Sequence, residues 1–219
     1  MFWQEEIDSE QYVVADAVVD LIFKIQCRSL PIDHAWLLSE AIHQLLPWFP
    51  EDRQTGLHLI YGADSGNGWE RPSDGDETLY LSRRTPLILR LPRGRVDEAK
   101  ALTGTTLDIA GNMLEIGESH TRFLAMTTTL YSRHVVSEAE SDEDSFLQQA
   151  VESLQAMNIR CKKILCGKGN TFTSPEGPLM TRSLMIAGLS LDDAVTLQEL
   201  GIGPMRSRGF GLFVPHKTV

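Results

Sequence analysis

Apolar positions along the chain follow two periods, two and about 3.6, and the places where one gives way to the other outline the elements. In "VVDLIFKIQ", Val19, Leu21, Phe23 and Ile25 fall on one side and Asp20, Ile22 and Lys24 on the other, which predicts a strand. After a short loop containing Pro31, "DHAWLLSEAIHQLLPWF" sets Leu38, Ala41, Ile42 and Leu45 at helical spacing. A helix is expected there, with Asp33 as N-cap and Pro47 as its stop. "GLHLIYG" and "ETLYLSRRTPLILRLP" read as strands separated by a Gly/Ser/Asp loop, and Pro86 assigns the latter to a sheet edge or a broken pair. "RVDEAKALTG" predicts a short helix ended by Gly104, and "TTLDIAGNMLEIG" a hairpin turning at Gly111 and Asn112.

The same order returns in the second half. "RFLAMTTTLYSRHVV" is a strand and "DSFLQQAVESLQAM" a helix; "KKILCGKGNTFTSPEGPLMTRSLMIAGLS" is strand, turn-rich loop, strand. "SLDDAVTLQELG" is a helix capped by Gly201, followed by a glycine hairpin and a final strand, "GFGLFVP". The expected fold class is therefore α+β, with two tandem ferredoxin-like βαββαβ units over residues 1–118 and 119–219. Such units host many chemistries, so the fold does not name a function.

Composition adds constraints. The 219 residues are 42% hydrophobic, enough to bury globular cores. No apolar run approaches the roughly 20 residues a bilayer needs, and the acidic start "MFWQEEIDSEQ" lacks the basic region of a secretory signal; a cytoplasmic, non-membrane protein is expected. Cys27, Cys161 and Cys166 have neither disulfide-framework nor zinc-knuckle spacing. The net charge of 20 − 30 = −10 argues against a nucleic-acid partner, but the charges are sorted along the chain. Six acids and no base lie between Ser137 and Leu154, five arginines and no acid between Arg83 and Arg95, and eight bases oppose four acids from Arg160 onward. An acidic protein can thus carry a basic face.

The last segment, "LGIGPMRSRGFGLFVP", brings Gly201, Gly203, Gly209 and Gly211 beside Arg206 and Arg208. Glycines let a backbone approach a phosphate closely, and amides and guanidinium groups supply donors; the plain alternative is a turn with awkward φ angles and solvated arginines. This pattern resembles the C-terminal glycine-rich loop of the RAMP (repeat-associated mysterious protein) superfamily of CRISPR systems. Together with "LPIDHAWLLSEAIHQLLPW", "GLHLIYG" and "AGLSLDDAVTLQELGIG", it is similar to the myxan-type branch of the endoribonucleases that process precursor CRISPR RNA. The likeness runs from about Val18 to Pro215. It implies binding of a CRISPR repeat stem-loop and metal-independent, cofactor-free cleavage by 2′-OH attack, giving a cyclic phosphate and a 5′-OH. Other CRISPR effector subunits are further possible partners. A non-catalytic RNA-binding subunit of the same superfamily is the alternative function, and a ferredoxin-like small-molecule enzyme a third.

Relatives employ a histidine on or near the first helix, which here offers His34 and His43. At the helix start, the positive end of the dipole would favour the neutral imidazole that a base needs at His34; packing against the sheet is its plain reading. His43, nine residues on, lies half a turn away on the polar side with Ser39, so the two cannot both face one phosphate from a regular helix. His58 fits the branch pattern as well, or is a sheet histidine held by a hydrogen bond. His120, His134 and His216 have no comparable setting. Arg83 and Arg84 at a hairpin tip, Lys168 in "CGKGN", the four glycines, Arg206 and Arg208 are the candidate RNA contacts, each also readable as a solvated surface.

Overall fold

A computed structural model describes residues 17–62, 78–138 and 142–216. The acidic opening, most of the Gly/Ser/Asp loop, the centre of the acidic run and the last three residues lie outside it. In chain order the elements are β1 (Val18–Gln26), β2 (Ser29–Pro31), α1 (Ala35–Leu45), β3 (Gly56–His58), β4 (Thr78–Tyr80), β5 (Pro86–Pro92), α2 (Val96–Ala99), β6 (Thr106–Ile109) and β7 (Asn112–Phe123). They are followed by β8 (Thr129–Val136), α3 (Glu143–Ala156), β9 (Lys163–Ser174), β10 (Gly177–Ala187), α4 (Leu191–Leu200) and β11 (Val214–Pro215).

Two antiparallel sheets result, ordered β3-β5-β1-β7-β6 and β11-β8-β10-β9, with β2 and β4 paired in a separate ribbon. In each sheet the first and third strands of a βαββαβ run are central and the second and fourth flank them, the ferredoxin-like arrangement; β6 adds a hairpin strand to the first. Alternation in β1 buries Val19, Leu21, Phe23 and Ile25 against Leu38, Ile42 and Phe49 from α1 and the segment after it. The second unit has its own core, where Phe146, Ala150 and Leu154 of α3 meet Leu184 and Ile186 of β10. Among the described residues no helix is long and apolar enough to cross a membrane.

Several local expectations need correction. Of the two readings of Pro86 the edge fails and the break holds: the stretch divides into β4 and β5, and β5 lies between β3 and β1 with Pro86 as its first residue. The β6–β7 turn is centred on Ala110 and Gly111, since Ile109 pairs with Asn112 and both turn residues have positive φ. Asp33 does not cap α1. His34 holds that position, and Asp33 Oδ2 accepts from the Thr173 amide of β9 at 2.6 Å. Leu45 is exposed rather than core. "CGKGN" is part of β9, whose hairpin turns only at Pro175 and Glu176. The closing segment is a compact turn with one short strand, not a hairpin. β7 continues past residue 118 to Phe123, and we propose that the division between the units lies at 124–128, where Gln198 of α4 bonds both the amide and the carbonyl of Ala125.

Candidate active site

Two segments about 160 residues apart meet at the start of the first unit. On α1, Trp36, Ser39, Glu40 and His43 recur at spacings of three and four, so they share one face. Against that face lies the turn Met205–Gly209. The His43 Nε2 is 3.1 Å from the Ser207 carbonyl oxygen. A carbonyl only accepts, so Nε2 carries the hydrogen and, in the neutral ring, Nδ1 keeps its lone pair. No described residue bonds Nδ1. Burial lowers the His43 pKa from its ordinary value; the Ser207 bond and Glu40 oppose that, and the Arg208 cation reinforces it. Its ring is half-buried beside Phe49, at 6.1 Å between centroids. Neutral imidazole therefore predominates near pH 7.

Glycine makes this turn possible, chiefly by leaving room. A Cβ on Gly209 (φ +103°) would strike Leu59, and one on Gly211 (φ +69°) would strike the Ile202 carbonyl oxygen. The Gly211 amide donates to the His134 carbonyl at 2.7 Å, which ties the turn to β8, and the Gly211 carbonyl accepts from the Ile202 amide at 3.1 Å. Phe210, fully buried, stacks edge-on against Phe172 of β9 at 5.0 Å. The loop is a built support.

A scan of family models places residues 19–218 within the Cas6 CRISPR family. The chain belongs to the Cas6 family. With the family comes the enzyme class, a CRISPR-associated endoribonuclease. The chain is 30% identical over 197 residues, 90% of its own length and 81% of the relative's, to the CRISPR-associated endonuclease Cas6 of Myxococcus xanthus strain DK1622. Among solved structures, the fold is similar to that of a CRISPR associated protein Cas6 (TM-score 0.63, 11% identity, 91% of this chain and 100% of that one). It is also similar to a RAMP protein described as binding different RNA substrates (TM-score 0.59, 11% identity, 90% and 98%). A third likeness is to Thermus thermophilus Cse3 bound to an RNA representing a pre-cleavage complex (TM-score 0.51, 11% identity, 90% and 98%).

The other residues singled out from sequence fall in different settings. His34 is buried at 3% exposure, with Nδ1–H donating to the Pro31 carbonyl (3.0 Å) and Nε2 accepting from the Ile60 amide (3.2 Å). Both nitrogens are occupied, so the ring fixes the segment after β3, whose Leu59 supports Gly209. Arg206 points inward, not toward a phosphate. It is 8% exposed, and its guanidinium donates to the carbonyls of Arg53 (2.8 Å), Glu199 (2.5 Å) and Gln198 (3.3 Å), closing the C-terminal end of α4. The amides of Gly201, Gly209 and Gly211 are likewise used internally, to the carbonyls of Leu197, Arg206 and His134. Gly203 is exposed, as are Arg83 and Arg84 in the turn before β5 and Lys168 on β9.

His58 belongs to a buried charge cluster that the pattern did not reveal. Asp20, 3% exposed, receives Arg90 Nε at 2.9 Å and Arg122 at 2.9 Å, with His58 Nε2 3.6 Å away. Burial alone would raise the Asp20 pKa, yet Arg90 and its companions hold it well below the usual carboxylate range. Burial, aided by the two arginines, pushes His58 down despite Asp20. Arg90 also donates to the carbonyls of Gln198 (3.0 Å) and Phe213 (2.9 Å), so the cluster bolts the first sheet to the second unit. The available signal was a lone Asp in β1 and a lone Arg in the apolar run "LILRLP". For the His43 site, the missed residues were Trp36 and Glu40, whose helical spacing was visible, and the distant Ser207, which carried no such signal.

Proposed function

We propose that this endoribonuclease binds a CRISPR repeat stem-loop and cleaves precursor CRISPR RNA without a metal, with His43 as the general base. The observation that carries the reading is the His43–Ser207 hydrogen bond, which orients a neutral imidazole and leaves Nδ1 as the nitrogen able to take a proton. The ribose 2′-OH beside the scissile bond gives its proton to Nδ1 and its oxygen attacks phosphorus. The bond from phosphorus to the 5′-oxygen breaks, and that oxygen takes a proton from water and leaves as a 5′-OH while a cyclic phosphate remains upstream; Nδ1 then returns its proton to solvent. The RNA-bound Cse3 of similar fold supports the substrate class. His34 acts as a positioning residue, because its nitrogens are both engaged.

Arg83, Arg84 and Lys168, all exposed, together with Gly203, are proposed phosphate contacts, whereas Arg206 and the remaining loop glycines support the turn. The experiment is end-group analysis of products from labelled repeat RNA. One cut with a cyclic phosphate and a 5′-OH, abolished by a 2′-deoxy substitution at that nucleotide, is the expected result. A 3′-OH product, or indifference to the 2′-deoxy substitution, would exclude this chemistry, and binding with no cut would favour a carrier role.

A further inference from the structure

Arg208 has three contacts on α1 and is half-buried. One terminal nitrogen donates to Ser39 Oγ at 3.0 Å, the other pairs with Glu40 Oε1 at 2.6 Å, and the guanidinium carbon lies 4.5 Å from the centre of the Trp36 ring. A planar fork stacked on an aromatic face and paired at both tips has little freedom. It is also one residue from Ser207. The backbone between them is a single tight turn, closed by the Arg208 amide on the Met205 carbonyl (2.9 Å) and the Gly209 amide on the Arg206 carbonyl (3.0 Å). Fixing Arg208 on α1 therefore fixes the Ser207 carbonyl one helical turn farther along, where it receives His43.

We propose that Arg208 is a positioning residue: clamped by Trp36, Ser39 and Glu40, it holds the Ser207 carbonyl against His43 Nε2 and keeps Nδ1 turned toward the scissile site. The inference rests on the reading of His43 as the base. The groups facing His43 are Glu40 on its own helix, the Ser207 carbonyl and Arg208 from the turn, and the Phe49 ring from the segment after α1. Removing Arg208 frees the turn and opens the ring to water, relieving the burial that lowers the His43 pKa, and also removes a nearby cation. Loss of the Ser207 bond works the other way, but burial is the largest cause of the lowering and removal of the cation adds to its relief, so on balance that pKa rises. Rate through a general base climbs with pH until the base is deprotonated, so the acid limb of the cleavage profile moves to higher pH.

The test compares wild type, Arg208→Ala and Arg208→Lys as full-length proteins. The His43 titration is followed by NMR without RNA, and single-turnover cleavage of labelled repeat RNA is measured at saturation across pH. For Arg208→Ala, the expected result is a His43 titration moved toward 6.5, an acid limb moved with it, and a saturating rate lower by about tenfold or more, on the order of part of a general-base contribution. RNA affinity changes less than about threefold. Arg208→Lys retains the charge but not the fork, so the titration stays nearer wild type and the rate falls less. An unmoved titration with a large affinity loss in both variants would make Arg208 an RNA contact and overturn the proposal. The NMR arm contains no RNA, so it judges the positioning even if His43→Ala cleaves normally and the base assignment fails.

Discussion

His34 and His43 are nine residues apart and chemically opposite. His34 uses both nitrogens to hold backbone, whereas His43 uses one and leaves the other. His34→Ala should therefore strand buried backbone groups and lower unfolding free energy by about 1–3 kcal/mol, visible in denaturant melts. His43→Ala should melt close to wild type. The half-turn between the two histidines was legible in sequence, and the two rings do sit in different settings. Which of them faced outward was not, because that depends on Pro31, Ile60 and Ser207, none adjacent in sequence. Arg206 teaches the same lesson: basic and flanked by glycines, it still serves three carbonyls inside the fold. Arg206→Ala is expected to cost about 1.5–3 kcal/mol per charged hydrogen bond lost, less whatever water recovers, in a thermal or denaturant melt. The salt slope of RNA binding should stay the same in the folded fraction, since no phosphate contact is lost.

At the scale of elements, strand and helix order followed from the two hydrophobic periods because each element buries one face locally. Deviations arose where pairing across the chain decided. Pro86 lies in a central strand, and Asp33 left its cap position for the Thr173 amide. The glycine turn was recognisable as a motif, but three of its glycines also serve the fold: Gly209 and Gly211 leave room for Leu59 and the Ile202 carbonyl, and the amides of Gly201, Gly209 and Gly211 bond within the protein. A ranking follows. Gly211→Ala meets fixed backbone at positive φ and should destabilise most; Gly209→Ala meets the Leu59 side chain, which can shift. Gly203→Ala, with ordinary contacts and only its φ of +81° against it, should cost about 1 kcal/mol. Melting the three variants side by side checks the order.

The molecule as a whole depends on charge buried between its units. Asp20 is ionised well below the usual range, so its contribution is complete above its unfolded value of 3.8 and is lost as pH falls below that. His58 works in a higher window. Its folded pKa is below the unfolded 6.5, so the unfolded chain binds the extra proton and stability declines as pH drops through 6.5; His43 adds to this slope. Denaturant melts from pH 8 to pH 3 should show both losses, and His58→Gln should flatten the upper one. Asp20→Asn should be severe, on the order of 3–5 kcal/mol at pH 7, because the Arg90 charge is left buried without its counterion. The two-unit plan was legible from repeated βαββαβ order. The bolt between the units was not, since Asp20 and Arg90 interrupt apolar strands singly and carry no periodic signal.

The most direct test concerns His43. Wild type and His43→Ala would be given saturating labelled repeat RNA in excess chelator, and single-turnover cleavage and RNA affinity measured together. Wild-type cleavage is expected to persist with chelator, and the variant to lose about 10²- to 10⁴-fold in rate with affinity nearly unchanged. Wild-type-like cleavage by His43→Ala, or cleavage abolished by the chelator and restored by added divalent metal, would contradict the proposed mechanism.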